Sequence, residues 1–182
     1  MAHRFTPSHS SQPPLGSVTR LANEGVLEMH ARVEDRIEIE SLMKRYCLFF
    51  DTKRAEDLAL LFTDDAVIDY GPEVEPVRGR ERLCEMVAIG MSTRFESTNH
   101  QICNEIVTFT SEKMATGTSH LYAWHKYYGS EVIGHLYGGY RYRFLKQSDG
   151  WKISDLKLFA SGMDGFHRTR MHDFRLILEN QD

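Results

Sequence analysis

The sequence has few cysteines and no long apolar run, and both shortages limit what the protein can be. Its 182 residues include only Cys47, Cys84 and Cys103, which are widely spaced and odd in number. This spacing offers neither a disulfide framework nor a CxxC motif, so we expect a reducing, cytoplasmic setting. No apolar stretch approaches membrane-spanning length, and no apolar segment follows His3 and Arg4 at the N-terminus. We therefore expect neither membrane insertion nor secretion.

An excess of positive charge is also missing. The formal net charge is -4, with 22 Lys and Arg against 26 Asp and Glu, which leaves no basic footprint for nucleic acid. The apolar fraction of 41% and the charged fraction of 26% are those of an ordinary globular protein. A chain of this length suits one domain with a substantial core. We therefore expect a single functional site and no nucleic-acid partner.

The nine histidines suggest metal binding, but their spacing does not support it. His3, His9 and His30 lie in or beside the N-terminal segment, and there is no HExxH pattern. We therefore predict no metal site. The first 25 residues are rich in Ser, Pro and small polar residues without hydrophobic periodicity, which predicts a flexible arm or inter-subunit strap. Residues 26–182 then form one domain.

Helical spacing of apolar residues is clearest from Val33 to Phe50. Asp51 falls at the edge of this apolar stripe, at the C-terminal end, where the helix dipole disfavours a carboxylate. Shorter helices are predicted over residues 55–62 and about 80–89. After a short strand at residues 66–70, the later pattern alternates and predicts four strands, at about residues 97–110, 114–128, 132–146 and 151–160. Helices followed by a long meander predict an α+β fold, with helices packed on one face of a curved antiparallel sheet.

A curved sheet over helices leaves a cavity, and the strand alternation indicates which polar groups point into it. On the first long strand His100, Ile102, Asn104 and Ile106 share one face. An imidazole that acts as a base needs an acceptor on its far ring nitrogen, and Asp51 is the carboxylate nearest the apolar stripe. We therefore predict an Asp51–His100 pair.

The next strand leaves two alternatives open. His125 shares a face with Ala123, Leu121 and Ser119, whereas His120, Tyr122 and Trp124 occupy the other face. A register slip of one residue exchanges the two sets, so the pattern alone does not decide which faces the cavity. Tyr70 is either a site residue or an aromatic packed at a strand end, and Asn104 is either a binding group or a satisfied buried amide.

Five stretches resemble the SnoaL-like group of the NTF2-like superfamily, over about residues 33 to 160. They are Phe50-Asp51-Thr52-Lys53, residues 61–70, His100-Gln101-Ile102-Cys103-Asn104, Gly117 and Asp149-Gly150-Trp151-Lys152. Scytalone dehydratase, hexachlorocyclohexane dehydrochlorinase and bile-acid dehydratase belong to this group. The resemblance implies a cone-shaped α+β domain around a small-molecule pocket.

Compared with scytalone dehydratase, the resemblance assigns Asp51 to orienting the catalytic His100, Tyr70 to holding a water and His125 to a second active-site histidine. Two departures argue against scytalone itself as the substrate. Phe50 replaces a water-holding tyrosine, and Gly138 and Tyr140 lie where the group has a substrate-binding serine and asparagine. The tyrosine of the bile-acid dehydratase group matches Tyr46, where the dehydrochlorinase has a lysine, which disfavours dehydrohalogenation.

Together these matches give a predicted catalytic set of Asp51, His100, His125 and Tyr70. The predicted substrate-binding set is Tyr46, Phe50, Asn104, Ala123, Tyr140 and Phe166. Phe166 lies in the final segment, residues 162–178, which looks like a loop and helix. The resemblance implies that this segment closes over the pocket as a lid; a docked tail is the alternative.

The reaction implied by the resemblance is loss of water from a hydroxylated cyclic or aromatic molecule. His100 takes a proton, Asp51 stabilises the imidazolium, a tyrosine stabilises the oxyanion, and His125 donates a proton to the leaving group. This chemistry needs no cofactor. The alternatives are a carbon–carbon lyase releasing formaldehyde from a lignin-derived diaryl compound, an isomerase or cyclase, and a non-catalytic binding protein or dioxygenase β-like subunit. A homo-oligomer, dimer or trimer, is expected.

Overall fold

The computed structural model describes the backbone of residues 15–179 and the side chains of residues 32–179. Within the described residues the chain divides after Asp35 into two compact units. The first helix, α1 (Leu15–Asp51), begins well before the predicted start at Val33. Prolines are excluded from helix interiors, and Pro13 and Pro14 are the last prolines before it. The predicted mobility of residues 1–25 falls largely on residues outside the described part and stays a prediction.

The other elements follow the predicted order, with shifted ends. They are α2 (Ala55–Ala59), β1 (Phe62–Asp69), β2 (Val77–Arg78), α3 (Arg80–Thr93), β3 (Phe95–Phe109), β4 (Met114–Tyr127), β5 (Ile133–Gln147), β6 (Gly150–Asp164) and β7 (His172–Asp173). Thr63, Asp64 and Asp65, which lie between the predicted helix at residues 55–62 and the predicted strand at residues 66–70, belong to β1 across a shift in its register. The helix expected in the final segment is wrong: β6 continues to Asp164, and within the described residues it is followed by β7 and a 3₁₀ turn, Phe174–Leu176.

The sheet order is β2-β1-β6-β5-β4-β3, with β7 on β6. Strands β3 to β6 form the predicted antiparallel meander. The sheet is mixed, because β1 and β7 each pair with β6 in parallel beside this meander. No hairpin joins these two strands; the chain passes through α3 and the meander before it returns beside β1. The α+β class, with few helices and a curled open sheet, is confirmed.

The core lies between the second half of α1 and the inward face of the sheet. The apolar stripe of α1 buries Ile39, Met43 and Tyr46 among the side chains of the meander. At one end of the sheet this packing is continuous around the fully buried Trp151 and Phe144. The buried side chains of α1 and of the inward face of the sheet thus form one hydrophobic cluster. A cavity lies elsewhere along the sheet.

Candidate active site

A cavity of about 290 Å³ lies between α1, α3, the sheet and the segment that follows β6. Its lining is mostly aliphatic and aromatic. Polar atoms come from Tyr46, Tyr70, Thr93, Arg94, His100, His125, Tyr140, His167 and Arg168. Among the described residues no Asp or Glu lines it. A largely apolar cavity with a few convergent polar groups is the usual form of a small-molecule site.

The Asp51 carboxylate binds His100 twice at the edge of this cavity. Oδ1 of Asp51 lies 2.6 Å from Nδ1 of His100, and Oδ2 accepts a hydrogen bond of 2.8 Å from the His100 backbone N–H. The Thr98 hydroxyl donates to the same Oδ1 at 2.8 Å. The His100 side chain is only 6% exposed and lines the cavity. Since Nδ1 is held by Asp51, Nε2 is the ring nitrogen left for a ligand.

Local structure explains why this carboxylate is found here. Asp51 is the last residue of α1, and β3 is an edge strand, so the N–H of His100 is free to bind a side chain. Burial raises the pKa of Asp51, but the hydrogen bonds and charge of His100, together with Thr98, outweigh it and lower the pKa below its ordinary value. Asp51 is therefore a carboxylate at neutral pH and can stabilise an imidazolium on His100.

The structure also shows which face of β4 is inward. Ser119, Leu121, Ala123 and His125 are buried, whereas the residues between them are not. The ring of His125 lies 5.1 Å from that of His100, nearly perpendicular to it, and its Nδ1 is buried without a hydrogen-bond partner among the described residues. Burial, then the proximity of His100 and His167, lowers the pKa of His125 to about 3. His125 is therefore neutral at physiological pH.

Three tyrosines present hydroxyls to the cavity. The hydroxyls of Tyr46 and Tyr70 lie 2.9 Å apart and share one hydrogen bond. Burial raises the pKa of Tyr70 to about 12 and those of Tyr46 and Tyr140 well above their ordinary value, so all three stay protonated. Because the shared bond uses only one of two protons, the Tyr46–Tyr70 pair retains an O–H for a ligand oxygen.

Phe50, Tyr140 and Phe166 line the cavity as predicted, but two members of the predicted binding set do not. Asn104 is exposed, with φ 55°, at a register shift between Cys103 and Ile106. This irregularity breaks the alternation that placed Asn104 on the face of His100. Ala123 is fully buried opposite His100 and is not among the residues that line the cavity.

Sequence reasoning missed the polar residues that follow Phe166. His167 and Arg168 line the cavity beside it, and burial, then the nearby Arg168 and Arg94, lowers the pKa of His167 to about 4. Two contacts hold this segment: the Tyr127 hydroxyl accepts from the His167 N–H at 3.1 Å, and Glu73 accepts from the backbone N–H groups of residues 169 and 170. The sequence feature that could have indicated these residues is the run Phe166-His167-Arg168 directly after Gly165.

A second Asp–His pair lies outside the cavity. Nε2 of His172 is 2.9 Å from both oxygens of Asp69, and Nζ of Lys157 is 2.9 Å from Oδ2 of the same carboxylate. Burial raises the pKa of Asp69, but His172, Lys157 and the Gly71 N–H bring it below its ordinary value. The His172 ring packs against Phe159. This pair joins β7 to the end of β1.

The described residues contain neither a membrane-spanning helix nor a metal-binding cluster. No helix in this part of the chain is long and apolar enough to cross a membrane. Nor does it contain a group of three or more His, Cys, Asp or Glu side chains placed to hold a metal ion. The expected cytoplasmic location stays a prediction.

The fold agrees with the comparisons. The SnoaL-like domain matches residues 31–157, so the chain belongs to the SnoaL-like family. No curated protein matches it.

Similar solved structures include a candidate scytalone dehydratase from Novosphingobium aromaticivorans DSM 12444, with 27% identity and a TM-score of 0.74 over 80% of this chain and 96% of that chain. A protein from Kribbella flavida has 26% identity and a TM-score of 0.67, over 73% and 95% of the two chains. A hexachlorocyclohexane dehydrochlorinase from Novosphingobium barchaimii LL02 has 17% identity and a TM-score of 0.69, over 78% and 96%; it shares the fold.

Proposed function

We propose that the protein is a lyase that eliminates water from a hydroxylated cyclic or aromatic molecule, with Asp51 and His100 as its acid–base pair. The observation that carries the proposal is the 2.6 Å contact between Asp51 and His100 at the wall of an apolar cavity. A charged dyad in such a place is costly unless it has a chemical role. The similarity to a candidate scytalone dehydratase supports the same class of reaction.

The elimination has two steps, proton abstraction from carbon and departure of the hydroxyl. Nε2 of His100 takes a proton from a carbon next to a carbonyl, and the electrons of the C–H bond move to the carbonyl oxygen, giving an enolate. Asp51 stabilises the imidazolium, and the Tyr46–Tyr70 pair donates a hydrogen bond to the enolate oxygen. The enolate then re-forms the carbonyl as the neighbouring C–O bond breaks. The departing hydroxyl takes the proton back from His100 and leaves as water.

The environment of His125 modifies the role predicted for it. A group with a pKa of about 3 is almost never an imidazolium near pH 7, so it is a poor source of a full proton. The imidazolium formed on His100 is then the better acid for the departing hydroxyl. His125 orients the hydroxyl through a hydrogen bond, which suits its unpartnered, buried Nδ1.

The size of the cavity favours a compact substrate. A volume of about 290 Å³ lies near the lower end of the range for small-molecule pockets, which suits one ring or two fused rings better than two separate aryl groups. This favours water loss over release of formaldehyde from a diaryl compound. We also propose a homo-oligomer that assembles through the outward face of the sheet, where Ile106 and Tyr137 are exposed; light scattering measures its size.

The test uses a β-hydroxy ketone fused to a benzene ring, whose loss of water gives a naphthol. We expect naphthol to accumulate with the wild type and not with His100→Ala, measured by absorbance and mass spectrometry. A second substrate with a hydroxymethyl arm is assayed with a formaldehyde trap. Stoichiometric formaldehyde with this substrate would replace the dehydratase by the carbon–carbon lyase, and no product from either substrate would leave an isomerase, cyclase or binding protein.

A further inference from the structure

Two arginines contribute the permanent charges of the cavity lining. Arg94 is the C-cap residue of α3, and Arg168 lies in the segment after β6. The two positions are far apart in the chain, and the fold brings both to one cavity. The chain as a whole is acidic, with a net charge of -4, so this local excess of positive charge runs against the average of the protein.

Neither guanidinium has a hydrogen-bonded carboxylate among the described residues. By contrast, Arg80 lies 2.6 Å from Asp64 and Arg54 lies 2.7 Å from Asp57. Glu73 is the acidic residue in the neighbourhood of Arg168, but its oxygens accept hydrogen bonds from residues 169 and 170. Arg94 and Arg168 therefore lack the hydrogen-bonded ion pairs that Arg54 and Arg80 form.

Arg168 is placed at an energetic disadvantage. It is half-buried, and burial followed by the nearby charge of Arg94 lowers its pKa from the ordinary value. Two like charges near one partly apolar cavity repel each other, and the partial loss of water around Arg168 strengthens the repulsion, whereas Arg94 is exposed. An anion bound between them would relieve both effects. A negatively charged substrate would provide this anion.

We propose that the substrate is a cyclic or aromatic carboxylate, and that Arg94 and Arg168 hold its carboxylate while the ring lies against His100. A planar guanidinium matches a carboxylate through two parallel hydrogen bonds. Arg94 also faces the negative end of the α3 dipole, so the site offers less than two full positive charges. This suits a monoanion better than a phosphate dianion. The inference rests on the proposed function for the reactive ring, but anion binding is measured without turnover.

The experiment compares three probes of nearly equal shape by isothermal titration calorimetry: naphthoate, neutral naphthamide and naphthyl phosphate. We expect the wild type to bind naphthoate about tenfold or more tightly than naphthamide, as expected for charge-assisted hydrogen bonds. Arg168→Gln should reduce this preference to about one and Arg94→Gln should reduce it partly. Arg170→Gln is the matched control, because Arg170 is exposed in the same segment and does not line the cavity. Naphthamide binding reports an intact cavity in every variant.

Several results would overturn the carboxylate site. These are no binding of naphthoate, equal affinity of wild type for naphthoate and naphthamide, equal losses in Arg168→Gln and Arg170→Gln, and tighter binding of naphthyl phosphate. His100→Ala separates the two proposals, since it removes the chemistry and should keep the preference for naphthoate. Loss of the preference in His100→Ala alone would place the carboxylate on the histidine. A naphthoate preference without water loss would keep this inference and reject the dehydratase.

Discussion

The described part of the protein contains two hydrogen-bonded Asp–His pairs in different surroundings. His100 lines the cavity and Asp51 holds its Nδ1 from behind, whereas Asp69 and His172 lie outside the cavity and connect β7 to β1. In both pairs burial raises the pKa of the carboxyl and the hydrogen bonds lower it further than burial raises it. Neither the pairing nor the pKa direction distinguishes a catalytic pair from a structural one.

The neighbours of each carboxylate make the distinction. Asp69 is also bound by the Lys157 ammonium at 2.9 Å, so its charge is already neutralised without a proton on His172. Asp51 receives only uncharged donors besides the His100 ring, namely the Thr98 hydroxyl and a backbone N–H. A carboxylate without another cation beside it keeps its full negative charge for stabilising an imidazolium. The comparison therefore favours the cavity pair as the site of the proposed base chemistry.

The largest expected effect comes from deleting each histidine in turn. His100→Ala should lower turnover about 10²-fold or more, the usual range for one acid–base group, with the fold intact. His172→Ala should leave turnover within about twofold, since His172 does not line the cavity. Steady-state kinetics with circular dichroism as the folding control gives both values. Equal losses in the two variants would break the distinction between the pairs.

Replacing the carboxylates tests the stabilisation of the imidazolium. Asp51→Asn keeps the shape and removes the charge, so we expect turnover to fall by about tenfold to 10²-fold with little change in KM. Asp69→Asn is the matched variant and should leave turnover nearly unchanged. If Asp51→Asn keeps full turnover, Asp51 only positions the strand, and its carboxylate has no role in the reaction.

The phenols that line the cavity test the surroundings of the first pair. Tyr70→Phe should lower turnover about tenfold, less than the usual effect of losing an oxyanion donor, since the Tyr46 hydroxyl is freed to replace it. Tyr137→Phe, on the exposed face of β5, is the control. A double variant, Tyr46→Phe with Tyr70→Phe, should exceed the sum of the single losses. No loss in any of these variants would remove the tyrosines from the mechanism, and additive losses would show that neither hydroxyl replaces the other.

Acid titration gives the smallest effect and should treat the two pairs alike. A carboxyl whose pKa is lower in the folded state stabilises the fold fully above its unfolded pKa, about 3.9, and this stabilisation is lost as pH falls through the folded value. The free energy of unfolding, from urea titrations between about pH 6 and pH 2, should therefore fall less steeply in Asp51→Asn and in Asp69→Asn than in the wild type. An unchanged slope in either variant would contradict the lowered pKa of that residue.

The Asp51–His100 pair was predictable because each residue lies in a regular element, Asp51 at the end of a helix and His100 in a strand. The helical stripe placed Asp51 at the end of α1, and strand alternation directed His100 inward. Strand alternation gave the wrong side for Asn104, because the register shift and the positive φ there turn its side chain away from the face of His100. The pattern of polar and apolar residues does not predict such an irregularity. His167 and Arg168 were missed because they follow the last long strand, in a segment without periodicity. The parallel pairing of β1 with β6 depends on contacts distant in the chain, which local patterns do not contain.

The attachment of residues 167–170 through Tyr127 and Glu73 has a consequence for redesign. Asp51 and Tyr46 come from α1, His100 comes from β3 and Tyr70 directly follows β1, whereas Phe166, His167 and Arg168 come from one short stretch fixed by two anchoring side chains. Of the two arginines proposed to hold the substrate, Arg168 therefore lies in a stretch separate from the proposed reactive groups, and Arg94 lies at the end of α3. Exchanging the stretch between those anchors for one of different charge is a route to new substrate preferences that leaves the reactive groups in place.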